Sequence, residues 1–398
     1  MTQKTVHLTT SALNSWIEEV EAGEQVHQLF LVGIHDEDGE RRLREPPATR
    51  EELVHLLAQA FNGLAKGGVN PLSYLGSRID SLGPLTSGHQ IQIKTELESR
   101  STSKSAWQCS IDTFFVVMHA LAASKLQVEK LNLFNDDDMK LFALPSDQLN
   151  VIDWDNPDIC HALAALKSLR INISTPVYAF RQIDGEGGSP DWLGRVTELT
   201  ASQIRTEIEQ ESNFDGLAKL IAKCPQLEDF EYRWLGIPLP GLKELQGLKF
   251  PGWKILYLLT ELPNLPKLRR CTFQHLITRD TDVLEFLKRT QPDEVFFGPM
   301  WLDDGKYQPI FDYCNSKEAN VTKLFAKGPL YQLARPDLGQ VHFQRQEYDG
   351  DAQCSPHLRR EGDAVQRPIH FHIDPQGFVE PGSTHCDVIL DEGLVGTF

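Results

Sequence analysis

The residues in this chain best suited to chemistry are His370 and His372, which flank Phe371. On an extended strand, alternate positions point to one face, so both imidazoles would serve one side of the chain and could hold a divalent metal ion. His385 and Cys386 could complete such a site. This supports one reading: a metal-dependent enzyme or metal-binding protein using its C-terminal histidines. The simpler account is a pair of solvent-facing histidines on an edge strand, because no carboxylate is positioned beside them. The run Asp136-Asp137-Asp138 lacks the alternate spacing and the glycine of a calcium-binding loop and reads as a solvated turn. Gly185-Glu186-Gly187-Gly188 is not followed by Lys-Ser or Lys-Thr, so it reads as a loop and not a phosphate cradle. No Gly-x-Ser-x-Gly occurs, and scattered Ser, His and Asp give no basis for a triad. The expectation is a protein that is not an enzyme and needs no cofactor.

Composition narrows the partners. The chain has 398 residues, 40% hydrophobic and 24% charged, enough apolar content to build a core. A net charge of -17 opposes nucleic acid and anionic lipid, both of which need a basic field. The cysteines number seven, widely spaced and without a Cys-x-x-Cys pair. Several lie in apolar runs, where reduced, buried thiols are expected, in keeping with a cytoplasmic or nuclear protein. The opening residues, MTQKTVHLTT, carry no apolar signal core. The longest apolar stretch, residues 114–123, is broken by His119 and too short to span a bilayer.

What must position any site is a recurring phrase, a helix-like segment followed by apolar-x-x-apolar-x-apolar. Its copies are Val128-Leu131-Leu133, Leu166-Leu169-Ile171, Leu227-Phe230-Tyr232 and Leu268-Cys271-Phe273, with Val295 and Phe297 as a weaker fifth. The first strand apolars, at 131, 169, 230, 271 and 295, are 38, 61, 41 and 24 residues apart. A regular leucine-rich repeat has a period of about 20–29 residues, so only the last interval fits. Upstream, Leu13, Trp16, Ile17 and Val20 mark a helix, and residues 27–34 read as a strand. Thr49 and Glu52 form a capping box for a second helix. The spacing implies an α/β fold: an irregular leucine-rich-repeat-like solenoid with helices on the outer face. Three regions are expected: a mixed N-terminal cap over 1–105, the degenerate array over 106–334, and a partly irregular C-terminal segment over 335–398.

Three stretches carry a family resemblance: Leu-Ala-Ala-Leu-Lys-Ser-Leu-Arg-Ile at 163–171, Cys-Pro-Gln-Leu-Glu-Asp-Phe at 224–230, and Leu-Pro-Lys-Leu-Arg-Arg-Cys-Thr-Phe at 265–273. With them the chain from Trp107 to about Cys314 resembles the C-terminal region of fungal F-box proteins that carry leucine-rich-repeat-like arrays. The resemblance implies a protein-interaction scaffold, with substrate recognition in an F-box-type ubiquitin ligase as its setting. The F-box opening Leu-Pro-x-Glu-Ile is not found in residues 1–60, so no F-box residue is carried over. The ligase adaptor would be a partner through a box lying upstream.

If the paired apolar residues face the core, period-two alternation sends their neighbours to the other face of the sheet. Those are Asn132, Arg170, Asn172, Glu231, Arg233, Thr272, Gln274 and Phe296. They would line a polar, mixed-charge concave surface for a protein partner, with Phe296 as its apolar anchor. Trp234, Trp253 and Trp301 follow strands, where packing over the repeat edge is expected of them.

Overall fold

In a computed structural model, the protein is described over residues 2–35, 48–81, 100–135, 142–174, 206, 209–235, 252–334, 338–344 and 354–375. The chain forms two compact units, which divide between Leu227 and Glu228.

The first unit is a ladder of parallel strands with helical crossovers. In chain order its main elements are β1 (Gln3–His7), α1 (Thr10–Glu21), β2 (Gln28–His35), α2 (Arg50–Lys66), β3 (Tyr74–Ser81) and α3 (Arg100–Ser124). Then follow β4 (Lys130–Leu133), β5 (Leu144–Pro145), a 3-10 turn (Ser146–Val151), α4 (Pro157–Leu163), β6 (Ser168–Ser174) and α5 (Gly216–Ala222). The strands pair in the order β1-β2-β3-β4-β6, all parallel, and β5 adds to β6. α1 packs on α2, α2 on α3 and α3 on α4, a continuous helical layer along one side. A doubly wound sheet would divide its crossovers between both faces. Thr49 caps α2 as expected, its hydroxyl accepting from the Glu52 N–H at 3.1 Å. β1 to β3 belong to the same ladder as β4, and α3 runs through residue 105, where a boundary was expected.

The second unit contains β7 (Asp229–Leu235), α6 (Trp253–Thr260), β8 (Arg270–Gln274), β9 (Leu276–Arg279), α7 (Asp280–Thr290), β10 (Glu294–Phe297) and β11 (Met300–Asp304). It continues with α8 (Tyr307–Asn315), β12 (Lys323–Ala326), β13 (Leu330–Gln332), β14 (Gly339–Gln344), β15 (Cys354–Ser355), β16 (Leu358–Glu361) and β17 (Phe371–Asp374). One sheet runs β7-β8-β10-β12, parallel, and closes on antiparallel β16. A second runs β9-β11-β13, parallel, then β14, with β15 and β17 antiparallel to β14. The order strand, corner, strand, helix occurs twice in succession, as β8-β9-α7 and β10-β11-α8, and β12-β13 repeats the strand, corner, strand part. The corners sit at His275, Gly298-Pro299 and Gly328-Pro329. His275 has φ 59° and Gly328 φ 113°, the left-handed geometry that turns a strand sharply. Arg270, Glu294 and Lys323 are Cα partners, so these aligned strands recur at intervals of 24 and 29 residues.

The apolar phrase sets the register. Leu131 lies beside Leu169 and Leu133 beside Ile171. In the second unit Phe230, Cys271 and Val295 align, as do Tyr232, Phe273 and Phe297. All ten are buried. Helix side chains close over them: Phe286 of α7 lies 5.9 Å from Phe230 and 5.5 Å from Phe273, and Phe311 of α8 lies 6.5 Å from Phe297. Removing Phe286 should open a cavity beneath two strands. Phe286→Ala is expected to cost about 3–5 kcal/mol, whereas Phe325→Ala, on the opposite face of the sheet, should cost less than half of that. Denaturant titration of both variants checks the assignment of faces.

Candidate functional site

On the helix-free face of the second unit, strand register lines side chains up in rows. The first row reads Asp229, Arg270, Glu294, Lys323, Glu361, alternating in sign across five strands. Its centre is linked: Glu294 accepts from Arg270 and from Lys323, each at 2.8 Å. The second row reads Glu231, Thr272, Phe296, Phe325, Arg359. Phe296 and Phe325 stack with centroids 4.7 Å apart and planes 13° apart. Arg270 stands over Phe296 at 5.7 Å and Arg359 over Phe325 at 5.6 Å. A half-exposed aromatic pair is thus flanked by two guanidinium groups and bordered by paired charges. In the third row Arg233 donates to the Gln274 carbonyl oxygen at 2.7 Å, and Gln274 donates to Glu231 at 3.1 Å.

The first unit has its own row: Phe30, Gly76, Asn132, Arg170. Gly76 lets two rings come close to the backbone, since a methyl there would come within 2.9 Å of Tyr74 and 3.0 Å of Phe30. Those rings sit 5.1 Å apart, and the Arg78 guanidinium lies 4.0 Å over Phe30. Asn132 donates to the Tyr74 hydroxyl at 3.0 Å and accepts from the Asn135 N–H at 2.9 Å.

The expected residues therefore occupy the face assigned to them by alternation, but they differ in access. Arg170 is exposed, and Glu231, Thr272, Gln274 and Phe296 are half-buried. Asn132, Asn172 and Arg233 are instead buried, which corrects the expectation that all eight line an open surface. Asn172 is covered by the chain leading into β5, donating to the Phe142 carbonyl at 2.7 Å. Arg233 is held by Gln274, whose side-chain oxygen accepts from its Nε and Nη2 at 3.2 and 2.7 Å. Phe30, Tyr74, Arg78, Phe325 and Arg359 share these faces and were missed. The alternation of β3 is masked in the sequence by Gly76 and Ser77, and β12 follows no copy of the phrase. Trp234 and Trp301 are buried, Trp301 stacking on Tyr331 at 5.5 Å.

His370 and His372 are both exposed, His372 on β17 and His370 just before it. His372 faces His342 of β14 with rings 5.7 Å apart, and His342 Nε2 is 3.9 Å from the Asp374 carboxylate. Among the described residues no three His, Cys, Asp or Glu side chains form a group able to hold a metal ion. His385, Cys386, Asp136 to Asp138 and the glycine-rich stretch at 185–188 lie outside the described residues. Burial pushes the thiols of Cys109, Cys224 and Cys314 up to about 12, so they stay protonated and poorly nucleophilic at neutral pH. Among the described residues no helix is long and apolar enough to cross a membrane. No family model, curated protein or solved structure matches this chain.

Glu294 offers a test of the charge row. Burial pushes its carboxyl upward, but the hydrogen bonds from Lys323 and Arg270 outweigh this and hold it below its ordinary value. A depressed folded pKa stabilises the protein above the unfolded value of about 4.3, and that contribution is lost as pH falls through the folded value. Glu294→Gln should therefore lower stability at pH 7, by about 1–2 kcal/mol given its half-exposed partners. The gap from the parent should close below about pH 4. A gap independent of pH, measured by urea titration, would contradict this account.

Proposed function

We propose that this chain is a non-catalytic protein-interaction scaffold, a leucine-rich-repeat-like solenoid that binds a protein partner through the helix-free face of its sheet. The observation that carries the reading is the stacked Phe296–Phe325 pair flanked by Arg270 and Arg359. Aromatic and Arg side chains dominate protein interface energetics, and a surround of paired charges excludes water without adding much affinity. A strand face built of consecutive turns offers a repeated, rigid platform, the usual use of such arrays. The family resemblance supports, by analogy alone, a setting in substrate recognition for an F-box-type ubiquitin ligase.

A second reading, a metal-binding protein, draws on the His342–His372 pair, whose rings lie 5.7 Å apart, with further ligands required from outside the described residues, where His385 and Cys386 lie. Stoichiometric zinc in the purified protein, lost on His372→Ala, would favour it.

The double variant Phe296→Ser, Phe325→Ser should shift the melting temperature by only a few degrees, about what 1 kcal/mol produces in a unit of this size. It should weaken a partner at least tenfold, the cost of removing hot-spot aromatics. The partner is identified by a photo-crosslinking residue placed at position 325 in the native host. Equal crosslinking from a control position on exposed α2, or unchanged affinity in the double variant, would rule this face out. Co-precipitation with the cullin-ligase adaptor tests the ligase setting separately.

A further inference from the structure

The helix-free face of the second unit carries a local charge opposite to that of the chain. Among the described residues, Arg270, Lys323 and Arg359 border the Phe296–Phe325 pair with only two carboxylates, Glu294 and Glu361. The chain as a whole has a net charge of -17. Glu294 lies between two cations: one oxygen accepts from Arg270 and the other from Lys323, each at 2.8 Å. Arg359 sets its Nε and Nη2 on a single oxygen of Glu361, at 3.2 and 3.0 Å. A guanidinium has five N–H donors and an ammonium three, so these cations hold many more donors than the two carboxylates accept. The Arg270, Lys323 and Arg359 side chains are 43%, 43% and 64% exposed. An exposed ion pair such as Arg359–Glu361 opens at little cost.

We infer, on the reading that this face docks a protein, that its partner is an acidic peptide segment. The segment places an apolar residue on the Phe296–Phe325 stack and a carboxylate on either side, one for Arg270 and one for Arg359. Sheet geometry sets the spacing. Arg270 is on β8 and Arg359 on β16, three strand spacings apart through β10 and β12. At about 4.8 Å each this is about 14 Å, which an extended peptide covers in about four residues. The recognised pattern is therefore acidic, any, apolar, any, acidic, with the peptide running across the strands. In an extended segment those alternate positions face the sheet together.

A carboxylate suits these donors because a charge-assisted bond from Arg is about twice as strong as a neutral one. Distant negative charges of the chain do not oppose it, since salt screens exposed charges beyond about 8 Å at physiological ionic strength. Nucleic acid is a poorer match. Asp229 and Glu231 continue the same rows on β7 and would repel a continuous run of phosphates. A peptide can place uncharged residues there.

Fluorescence anisotropy of the full chain with a labelled synthetic peptide repeating Glu-Ser-Phe-Ser tests this. Replacing each Glu by Gln should weaken binding at least tenfold, about the value of one hydrogen bond to a charged group. Binding of the Glu peptide should also fall as salt rises. Arg359→Glu, at an exposed position, should lose the preference for Glu over Gln with its melting temperature kept. Equal affinity for the two peptides, abolished by the double variant Phe296→Ser, Phe325→Ser, would overturn the acidic partner and leave the face standing. Glu-peptide binding that survives in both variants lies elsewhere and would overturn it too. So would tighter binding of oligothymidylate, or no binding of any probe. Crosslinking from position 325 in the native host reports on the face in each of those cases, so the two failures are told apart.

Discussion

Everything described here depends on one constraint: neighbouring parallel strands must align so that apolar pairs lie beside apolar pairs. Side chains alternate with a period of two, so a slip of one residue would turn Phe273 and Phe297 to water and bring Thr272 and Phe296 under the helices. The alignment of Leu131 with Leu169, and of Phe273 with Phe297, is therefore worth the burial of every pair at once. It also decides where helices can pack. Within each unit the described helices cover one side of the sheet, and the opposite side is left to polar and aromatic residues whose positions follow from the core.

That constraint explains what was legible in the sequence. Strands built on a Leu, Ile or Phe pair announced themselves, and so did Thr49, whose capping role needs only local spacing. β3 did not, because Gly76 and Ser77 interrupt its alternation, and their reasons for being there are tertiary: two rings close above one, buried packing for the other. Nor did the second sheet of the second unit. Its strands follow immediately on the first set after a single corner, and segments such as Leu276–Arg279 are too short to show a period. The candidate face was legible in parity but not in access. Asn132 and Asn172 point where alternation sends them, yet Tyr74 and the Phe142 carbonyl cover them, and covering by a distant segment leaves no mark in local spacing.

The open faces share a chemical habit. Arg78 lies over Phe30, Arg270 over Phe296 and Arg359 over Phe325, and away from those faces, at the start of α6, Arg279 lies over Trp253 at 4.0 Å. A guanidinium plane is weakly hydrated and rests on a ring while its edges stay in water. Aromatic residues can thus occupy a solvent face without forming a bare apolar patch. Among the described residues the only large hydrophobic side chain left well exposed is Val151.

The alternating row from Asp229 to Glu361 bears on how such an array can change length over evolutionary time. Duplicating or deleting a single turn between Arg270 and Lys323 would set like charges side by side on adjacent strands, which is unfavourable. Duplicating two turns together would keep opposite signs adjacent. Growth in even steps is therefore tolerated from the start, while odd steps demand a compensating charge reversal. The unit of inheritance in this sheet would be the pair of turns, although the unit of structure is the single one.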